Sequence, residues 1–472
     1  MQNQFINLLS SLRILFYKPQ RLFFPEYLLW NSQGISMRNN AVLVIGGGIA
    51  GIQAALDVAN RGITVYLVEK SPSIGGRMAQ LDKTFPTMDC SMCILAPKMI
   101  ECFRHPNIKL LACSEVKEVT GSAGNFVVRV LKNPRFIDVD KCTGCGECTE
   151  KCPVRVASEF DMGMGKRKAV FMVFPQAVPR VAVIDKDSCL FLQKGICKIC
   201  ERFCQAHAIN FDQKPEEITL NVSSIILATG LESWNPASIT EYGYGRHENV
   251  LLSLEFERFI NASGPTRGEL LRPSDGKKPH IIAFVQCVGS RSEENGFPYC
   301  SSVCCMYATK EAILVREHNP ECMVYILYMD LRVFGKRFQE FVTRAKEEWG
   351  VNYVNGRAAV ILEDPVTGNL RVRYENVAEG KMEELCADLV VLCPALIPRE
   401  DNRLLAKTLN LELDCYGFLK TKDQLLMPVE TNVDGILVCG YCQSPKDISE
   451  SVTQASAAAD KAAEIAATPR PR

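Results

Sequence analysis

The first strongly patterned part of the chain is a pair of apolar runs separated by a glycine-rich turn and a helical stretch. Residues 41–45, AVLVI, are continuously apolar, as expected for a strand buried in a parallel sheet. Residues 49–59, IAGIQAALDVA, have the spacing of a helix, and residues 64–69, TVYLVE, predict a second strand. The order strand, turn, helix, strand predicts a βαβ unit of an α/β sheet.

The turn in this unit carries the spacing G-x-G-x-x-G at Gly46, Gly48 and Gly51. In this pattern the first glycine permits the tight turn, the second lets a pyrophosphate approach the backbone, and the third lets helix and strand pack closely. The phosphates then face a helix N-terminus, where free N–H groups favour anions. Glu69, followed by Lys70, ends the second strand about 20 residues on, where an acidic side chain binds ribose hydroxyls. The unit therefore predicts a dinucleotide site.

Three later motifs favour FAD over NAD at this site, because they resemble motifs of the two-dinucleotide-domain flavoproteins. SPSIGGRMA resembles their second glycine turn, VSSIILATG (222–230) their strand that returns to the FAD domain, and VDGILVCGYCQSPKDISESVTQASAAADKAA their final flavin motif. The residues expected at the cofactor in these motifs are Gly76, Arg77, Thr229, Gly230 and Gly440. Tyr441 follows Gly440 where most such proteins have Asp, which puts the usual carboxylate contact to the ribityl chain in question.

A second strand–helix–strand pattern begins at KKPHIIAFVQCVGSRSE, where these flavoproteins carry a glycine turn for NAD(P). Here Cys287 stands where that turn would start, and no G-x-G-x-x-G follows. CCMYATKEAILVREHNP predicts the next helix and CMVYILYMDLR the next strand. Without the glycines a pyrophosphate cannot approach the backbone, so we expect the fold without NAD(P) binding.

Composition limits the remaining possibilities. Lys plus Arg and Asp plus Glu both number 54, so bulk charge does not favour nucleic-acid binding. Five His argue against a His-based metal enzyme, whereas 22 Cys, many of them two or three residues apart, suit metal ligation. We therefore expect a reduced, cytoplasmic and anaerobic protein without a transmembrane segment. Residues 1–40 are interpreted as a disordered leader or a mis-assigned start, with a surface helix that docks on a partner or membrane as the alternative.

Two cysteine runs predict an inserted two-cluster ferredoxin. KCTGCGECTEKCP has the spacing C-x₂-C-x₂-C-x₃-C-P of bacterial ferredoxins, in which the fourth cysteine ligates the other cluster. DSCLFLQKGICKICERFC supplies the partner run with a longer first gap. The first [4Fe–4S] cluster is assigned to Cys142, Cys145, Cys148 and Cys204, and the second to Cys152, Cys189, Cys197 and Cys200. This crossed pairing is inferred from the ferredoxin pattern.

These motifs, together with GGRMAQLDKTFPTMDCSMC, FPQAVPRVAVID, VQCVGSR…YCSSVCCMYATKEA and PKDISESVTQASAAA, resemble the A subunit of heterodisulfide reductase over about residues 41 to 466. The resemblance implies a third [4Fe–4S] cluster, which makes three in all, on Cys287, Cys300, Cys304 and Cys305. It also implies a catalytic role for Lys310, whose amine would approach flavin N5 and tune its potential. A solvated helix residue is the alternative for Lys310. The longest family members carry further cluster-binding regions, so this chain is interpreted as a short form.

The implied function is electron transfer by FAD and [4Fe–4S] clusters in a heterodisulfide-reductase-type complex, with electron pairs split or merged at the flavin. The implied partners are proteins like the heterodisulfide reductase subunits B and C, with a hydrogenase, a formate dehydrogenase or ferredoxin as electron partner. We expect a hetero-oligomer, with a dimer as a further option, and no nucleic acid. One rival interpretation is an NAD(P)H-dependent flavin disulfide reductase that uses Cys90 and Cys93. The other is a relay and docking protein that does not bifurcate electrons.

The expected fold class is α/β: a two-dinucleotide-domain flavoprotein, like thioredoxin and glutathione reductases, with an inserted α+β two-cluster ferredoxin domain. The expected divisions are the leader 1–40, FAD-binding parts 41–135, 212–275 and 396–472, the ferredoxin insertion 136–211, and a degenerate NAD-domain-like module 276–395 with the third cluster.

Ten cysteines remain outside these cluster assignments. Cys90 and Cys93 are either a redox pair, ligands shared with a partner, or buried packing residues. The others are expected to pack in the core: Cys102, Cys113, Cys322, Cys386, Cys393, Cys415, Cys439 and Cys442.

Overall fold

The apolar run that opens the pattern forms the central strand of a five-stranded parallel sheet. In a computed structural model, which describes residues 41–467, this sheet has the strand order β21–β11–β1–β2–β3. Its members are β1 (Ala41–Ile45), β2 (Thr64–Glu69), β3 (Ile108–Ala112), β11 (Ser224–Leu227) and β21 (Ile436–Val438). The sheet thus collects strands from the beginning, middle and end of the described chain. The expected leader 1–40 lies outside the described residues.

Small residues let the flanking helices approach this sheet closely. The helices are α1 (Ile49–Ala59), α2 (Ser91–Arg104) and α10 (Ile448–Ala467), with a 3₁₀ helix at Gly76–Gln80. Ala54, Ala55, Ala458 and Ala459 are fully buried where α1 packs on α10. A three-stranded antiparallel sheet, ordered β10–β5–β4, extends from the same layer. Its strands are β4 (Ser114–Ser122), β5 (Asn125–Lys132) and β10 (Glu216–Val222).

The second large sheet has seven strands in the order β13–β19–β14–β15–β16–β17–β18. They are β13 (Val250–Leu252), β14 (Ile281–Val288), β15 (Met323–Tyr328), β16 (Asn352–Glu363), β17 (Leu370–Asn376), β18 (Lys381–Ala387) and β19 (Leu389–Pro394). The first five in spatial order pair in parallel, whereas β16, β17 and β18 form an antiparallel meander. The helices of this part are α6 (Ser253–Ile260), α7 (Cys304–His318) and α8 (Phe338–Glu347).

Strand β13 belongs to the second sheet, although the expected boundary after residue 275 places its segment in an FAD-binding part. Its three residues, VLL, pair with β19 and carry no alternation that would reveal their sheet from sequence. The other division points stay predictions.

The cysteine-rich insertion has short elements and a small core of its own. They are α3 (Glu147–Lys151), β6 (Arg155–Ala157), β7 (Lys166–Lys168), β8 (Val170–Phe171), β9 (Val183–Ile184), α4 (Leu190–Lys194) and α5 (Ile199–Phe203). A two-stranded antiparallel link, β12 (Leu231–Ser233) with β20 (Leu396–Pro398), precedes α9 (Asn402–Leu409). Within residues 41–467, the helices are all too short or too polar to cross a bilayer.

Candidate functional site

The three motif glycines in the turn after β1 differ in the space around them. Neighbouring atoms leave no room for a side chain at two of them, whereas the third faces open space. A Cβ on Gly46, whose φ is +108°, would lie 2.3 Å from the Ala228 carbonyl oxygen, and one on Gly51 would lie 1.8 Å from that of Gly46. A Cβ on Gly48 would meet no atom within 4 Å. The fold itself therefore requires Gly46 and Gly51, whereas Gly48 faces space that a phosphate could enter.

Glu69 at the end of β2 binds the same turn. Its carboxylate accepts the N–H groups of Gly47 at 2.6 Å and Ser71 at 2.7 Å. The carboxylate thus holds the turn in place beside the position expected for a ribose. Lys70 points elsewhere, to an ion pair with Asp401 at 3.4 Å, and its expected cofactor contact stays a prediction.

The second glycine turn packs directly on the first. Gly76 has φ +56°, and a Cβ there would lie 2.8 Å from the Gly48 Cα. The Arg77 guanidinium donates to the Gln80 side-chain oxygen at 2.9 Å. Burial, and then the nearby Arg399, lower the pKa of Arg77.

The strand β11 and the loop after β21 complete this end of the sheet. The Thr229 hydroxyl donates to the Asn402 amide oxygen at 2.7 Å, while the buried Asn402 Nδ2 has no hydrogen-bond partner among the described residues. A Cβ on Gly230 would face open space. Gly440 donates its N–H to the Gln454 side chain at 2.9 Å. Open space at two glycines and an unsatisfied buried amide donor fit a polar dinucleotide such as FAD.

The first predicted ferredoxin set lines one pocket. Cys142, Cys145, Cys148 and Cys204 line it, together with Gly144 and Gly146. Burial raises the pKa of Cys148 to about 11, and the thiols of Cys142 and Cys204 add to the effect. The Ala208 N–H donates to the Cys204 sulfur at 3.3 Å. The structure thus brings together the crossed group expected from the ferredoxin pattern.

The second set includes Cys152 at the C-terminal end of α3 and Cys200 within α5, two helices that contact each other. Cys200 is buried, and burial followed by the neighbouring Cys189 raises its pKa to about 12, with Cys152 also close enough to contribute. Cys152 and Cys189 lie in the same small core. Cys197 precedes α5 with φ +78°, and its predicted ligand role is not tested by any contact.

The third set converges where β14 ends and α7 begins. The Cys304 thiol is buried beside the thiols of Cys287, Cys300 and Cys305, and these neighbours together with burial raise its pKa well above the ordinary value. The hydrogen bond from Cys304, and the Ser302 N–H at 3.3 Å, lower the pKa of Cys300 to about 6. These donors stabilise the thiolate form of Cys300. These four thiols, which span residues 287–305, form one group in space.

Within residues 41–467, no three His, Cys, Asp or Glu side chains are positioned for one metal ion. A [4Fe–4S] cubane has a different requirement, because each of its four iron atoms takes one thiolate and the sulfurs stand further apart. Cysteine is the ligand type that such clusters take. The three thiol groups therefore fit cubanes in chemistry, and their ligand assignments stay predictions.

Lys310 lies in the middle of α7, 1% exposed, and does not face solvent. Its amine forms a buried ion pair with Glu257 of α6. Burial lowers the pKa of Lys310 to about 8, against the opposing effect of Glu311 and Asp82. The interpretation of Lys310 as a solvated helix residue is therefore wrong, and its approach to flavin N5 stays a prediction.

The structure adds residues that sequence reasoning missed. Glu257, which pairs with Lys310, could have been noticed as a charged position on the apolar face of α6. The buried Tyr441 hydroxyl donates to the Ser301 carbonyl at 3.1 Å, which connects the final flavin motif to the loop beside Cys300. The sequence shows only that Tyr441 replaces a usual Asp.

The remaining cysteines divide differently from expectation. Cys90 and Cys93 form a disulfide and are both exposed, so the buried-packing interpretation is wrong for them. Cys386 and Cys415 are exposed as well, because one lies on the outer strand β18 and the other in a surface loop. The buried positions are confirmed for Cys102, Cys113, Cys322, Cys393, Cys439 and Cys442.

Comparison with protein families agrees with this arrangement. Residues 41–93 match the family described as FAD dependent oxidoreductase, residues 305–462 the pyridine nucleotide-disulphide oxidoreductases, and residues 135–157 the 4Fe-4S binding domain. Among solved structures, thioredoxin reductases from T. acidophilum and Lactococcus lactis both have a TM-score of 0.49. They are 14% and 16% identical, and each match covers 90% of this chain and 98% or 99% of the other.

The matched families and the two α/β sheets define an FAD-binding and [4Fe–4S]-binding flavoprotein of the two-dinucleotide-domain class, which confirms the expected fold class. Among curated proteins, the iron-sulfur A subunit of the CoB–CoM heterodisulfide reductase of Methanocaldococcus jannaschii is 53% identical over 421 residues, 89% of this chain. The A subunit of the H₂:CoB-CoM heterodisulfide,ferredoxin reductase of Methanothermobacter thermautotrophicus is 52% identical over 425 residues, 90% of this chain. Over about nine tenths of its length the chain is therefore similar to the A subunits of heterodisulfide reductases. It spans 63% and 64% of the length of these two relatives.

Proposed function

We propose that the chain is the FAD and [4Fe–4S] electron-transfer component of a heterodisulfide-reductase-type complex, which splits or merges electron pairs at the flavin. The observation that carries the proposal is the convergence of Cys287, Cys300, Cys304 and Cys305 at the N-terminus of α7. In the two-dinucleotide-domain class this corner receives the pyrophosphate of NAD(P). Here it holds four thiols, which suit a cluster.

The backbone at this corner also favours protein electron donors over a soluble hydride donor. A Cβ on Gly289, just after β14, would lie 2.4 Å from the Trp234 ring, so this glycine serves internal packing. It does not open a path for a pyrophosphate. We therefore place the NAD(P)H-dependent disulfide reductase interpretation second, and expect electrons to arrive through proteins.

The proposal assigns three cubanes and one FAD to the chain. FAD exchanges either one or two electrons, whereas each cubane passes one, so the pair can convert between the two kinds of transfer. Gly48, Gly230 and the Asn402 amide would receive the dinucleotide. The buried Lys310 cation, held by Glu257, would stabilise negative charge near the flavin if the ring reaches α7.

The proposed partners follow the names of the relatives. One relative is named for H₂, a CoB-CoM heterodisulfide and ferredoxin. We propose proteins like the heterodisulfide reductase subunits B and C as cluster partners, with a hydrogenase, formate dehydrogenase or ferredoxin as the electron source or acceptor. The complex would be cytoplasmic, because unligated cysteines and clusters persist in a reducing compartment. Whether the chain bifurcates electrons or relays them is decided by assays of that complex.

The cluster count is tested on protein purified anaerobically. We expect about 12 iron atoms and one FAD per chain, since each cubane holds four iron atoms. The substitution Cys300→Ala should reduce iron and sulfide to about eight each, with FAD retained. It should also stop electron transfer between the flavin and added partner proteins.

Cys386→Ala is the matched control, because Cys386 is exposed on β18 and outside every thiol group. It should leave iron, flavin and electron transfer unchanged. About eight iron atoms per chain in the unsubstituted protein would show that it has no third cluster. Rapid bleaching of the flavin by NADH would instead favour the disulfide reductase interpretation.

A further inference from the structure

The disulfide between Cys90 and Cys93 is the only cysteine pair joined covalently among the described residues, and it lies on the surface. The two Cα atoms are 5.2 Å apart at the start of α2. Both residues are exposed, whereas Cys102 on the same helix is fully buried. The bridge spans only three positions, so it constrains the unfolded chain little and is poorly explained as a stabilising cross-link.

The two sulfurs are not equivalent. Cys90 is the N-cap of α2, and its sulfur accepts the N–H of Cys93 at 3.2 Å. The first turn of this helix carries no acidic residue, although Asp89 directly precedes the cap, and the helix dipole favours negative charge on the Cys90 sulfur. A thiolate at a helix N-terminus with an N–H donor has a lowered pKa and leaves readily. Cys90 is thus the better leaving group, and Cys93 the sulfur that an incoming thiolate would attack.

The surface of α2 after Cys93 exposes three large apolar side chains, together with the charged Glu101 and Arg104. Ile94 is 42%, Ile100 44% and Phe103 48% exposed, all on the helix that carries the disulfide. A small charged thiol gains nothing from such a surface, whereas a protein dithiol with an apolar rim would bury it.

The base of α2 is held by a hairpin, so an exchange reaction here need not unfold the helix. Cys90 pairs with Lys83 in an antiparallel bridge, and the Ser91 N–H donates to the Asp82 carbonyl at 3.0 Å. Lys83 is further held by Glu317 at 2.6 Å. The disulfide is therefore presented on a fixed part of the surface.

We propose that Cys90–Cys93 is a thiol–disulfide exchange site for a protein dithiol. A thiolate of the partner attacks the Cys93 sulfur, the Cys90–Cys93 bond breaks, and Cys90 leaves as a thiolate that takes up a proton. The second partner thiol then attacks the mixed disulfide and releases Cys93. The partner dithiol loses two electrons and becomes a disulfide. The Cys90–Cys93 disulfide gains these two electrons and becomes two thiols. The exchange does not depend on the cluster assignments, because none of their cysteines takes part.

The test uses the holoprotein under anaerobic conditions with two reductants, dithiothreitol and reduced thioredoxin. After alkylation of the native protein, both reductants should raise labelling at Cys90 and Cys93 at least tenfold, with Cys102 unlabelled until denaturation. A thioredoxin that lacks its resolving cysteine should be trapped as a mixed disulfide on Cys93. Labelling by dithiothreitol alone would overturn the assignment to a protein dithiol, and no labelling by either would overturn the site.

Two variants test whether trapping requires this disulfide, and peptide mapping identifies the attacked sulfur. Cys93→Ser should abolish trapping of the thioredoxin variant, whereas Cys415→Ser, which removes another exposed cysteine, should leave it unchanged. Peptide mapping that finds the mixed disulfide on Cys90 in the unsubstituted protein would contradict the proposed polarity. Because mapping is done on the unsubstituted protein, the result does not depend on the folding of either variant. Iron and flavin contents are measured in parallel and should be the same in all three proteins.

Discussion

At the residue scale, the most unusual feature is a set of ionisable side chains buried in α6 and α7, near the third thiol group. Lys310 and Glu257 have side-chain exposures of 1% and 2% and pair with each other. Glu311 is also buried, and burial raises its pKa to about 8. Its Oε2 has no hydrogen-bond partner among residues 41–467. Buried charges are costly unless paired, so this ion pair is a sensitive point of the structure.

Substitution of one member of the pair should be worse than substitution of both. Lys310→Met or Glu257→Gln leaves a buried group without its partner, and each should lower the free energy of unfolding by about 3–5 kcal/mol at pH 7. The double variant should recover about 1–3 kcal/mol relative to the sum of the two. Unfolding is followed by denaturant or heat on the anaerobic protein. If the changes in the free energy of unfolding are additive, the two side chains do not interact, and Glu257 is not the partner of Lys310.

The residue scale also shows where sequence reasoning reaches its limit. The spacing of Cys142, Cys145 and Cys148 is local, so the chain itself brings these thiols together. Nothing local joins Cys287 to Cys304, which required either a family resemblance or the fold. Likewise, a cysteine such as Cys386 has an apolar character in sequence, and only its outer-strand position shows that it is exposed.

At the element scale, the glycine turn between β1 and α1 separates the demands of folding from those of binding. Gly51 is required because a Cβ there would overlap the Gly46 carbonyl oxygen. Gly48 has φ −76° and ψ −177°, which any residue adopts, and nothing stands close to its Cβ position. Because the fold does not require a glycine at position 48, the glycine there indicates a ligand that occupies the space beside it.

Gly48→Ala should therefore change binding without changing folding. We expect the stability of the flavin-free protein to stay within about 0.5 kcal/mol of the unsubstituted one, and FAD affinity to fall at least tenfold, about 1.4 kcal/mol. Gly51→Ala, the matched variant in the same turn, should lower both. FAD affinity is measured by quenching of flavin fluorescence on reconstitution. Unchanged affinity in Gly48→Ala would contradict the placement of the pyrophosphate at this turn.

The elements of the two large sheets differ in how far the sequence predicts them. The continuous apolar run of β1 and its glycine turn predict a parallel strand and the helix after it, and both are present. The short strand β13 joins the second sheet through pairing with β19, which lies about 140 residues away, and no local pattern encodes that contact. Strands with a continuous apolar run are thus predictable, whereas short strands placed by distant partners are not.

At the scale of the whole molecule, the fold brings the final flavin motif against the third thiol group. Tyr441 follows Gly440 and is buried, and its hydroxyl donates to the carbonyls of Ser301 at 3.1 Å and Leu396 at 3.4 Å. The Leu396 N–H in turn donates to the hydroxyl oxygen of Ser301, the residue after Cys300, at 2.9 Å. Three segments that are distant in sequence thus meet at the Tyr441 hydroxyl, which gives the residue at the position of the usual Asp a structural role beside the third thiol group.

Removal of the Tyr441 hydroxyl should make the third cluster easier to lose and leave the other two clusters unchanged. Tyr441→Phe removes one of two donors to the Ser301 carbonyl, which keeps the Val303 N–H at 2.9 Å, and should cost about 0.5–1.5 kcal/mol at the loop that carries Cys300. We expect an iron chelator to remove about four of the roughly 12 iron atoms several-fold faster than from the unsubstituted protein, because one cubane holds four. The ferredoxin iron and the FAD should be unaffected, since the Tyr441 hydroxyl donates to residues outside the ferredoxin insertion.

The control for this variant is Tyr416→Phe, because Tyr416 is 38% exposed and phenylalanine keeps the contact of its ring with Tyr299 at 5.0 Å between centroids. Its iron should be lost at the rate of the unsubstituted protein. Faster loss of all the iron from Tyr441→Phe would indicate general destabilisation of the chain. An unchanged rate in Tyr441→Phe would show that the flavin motif does not support the third thiol group, and that the loop carrying Cys300 is held by its other contacts, among them the hydrogen bond between the Ser290 and Ser301 hydroxyls at 2.7 Å.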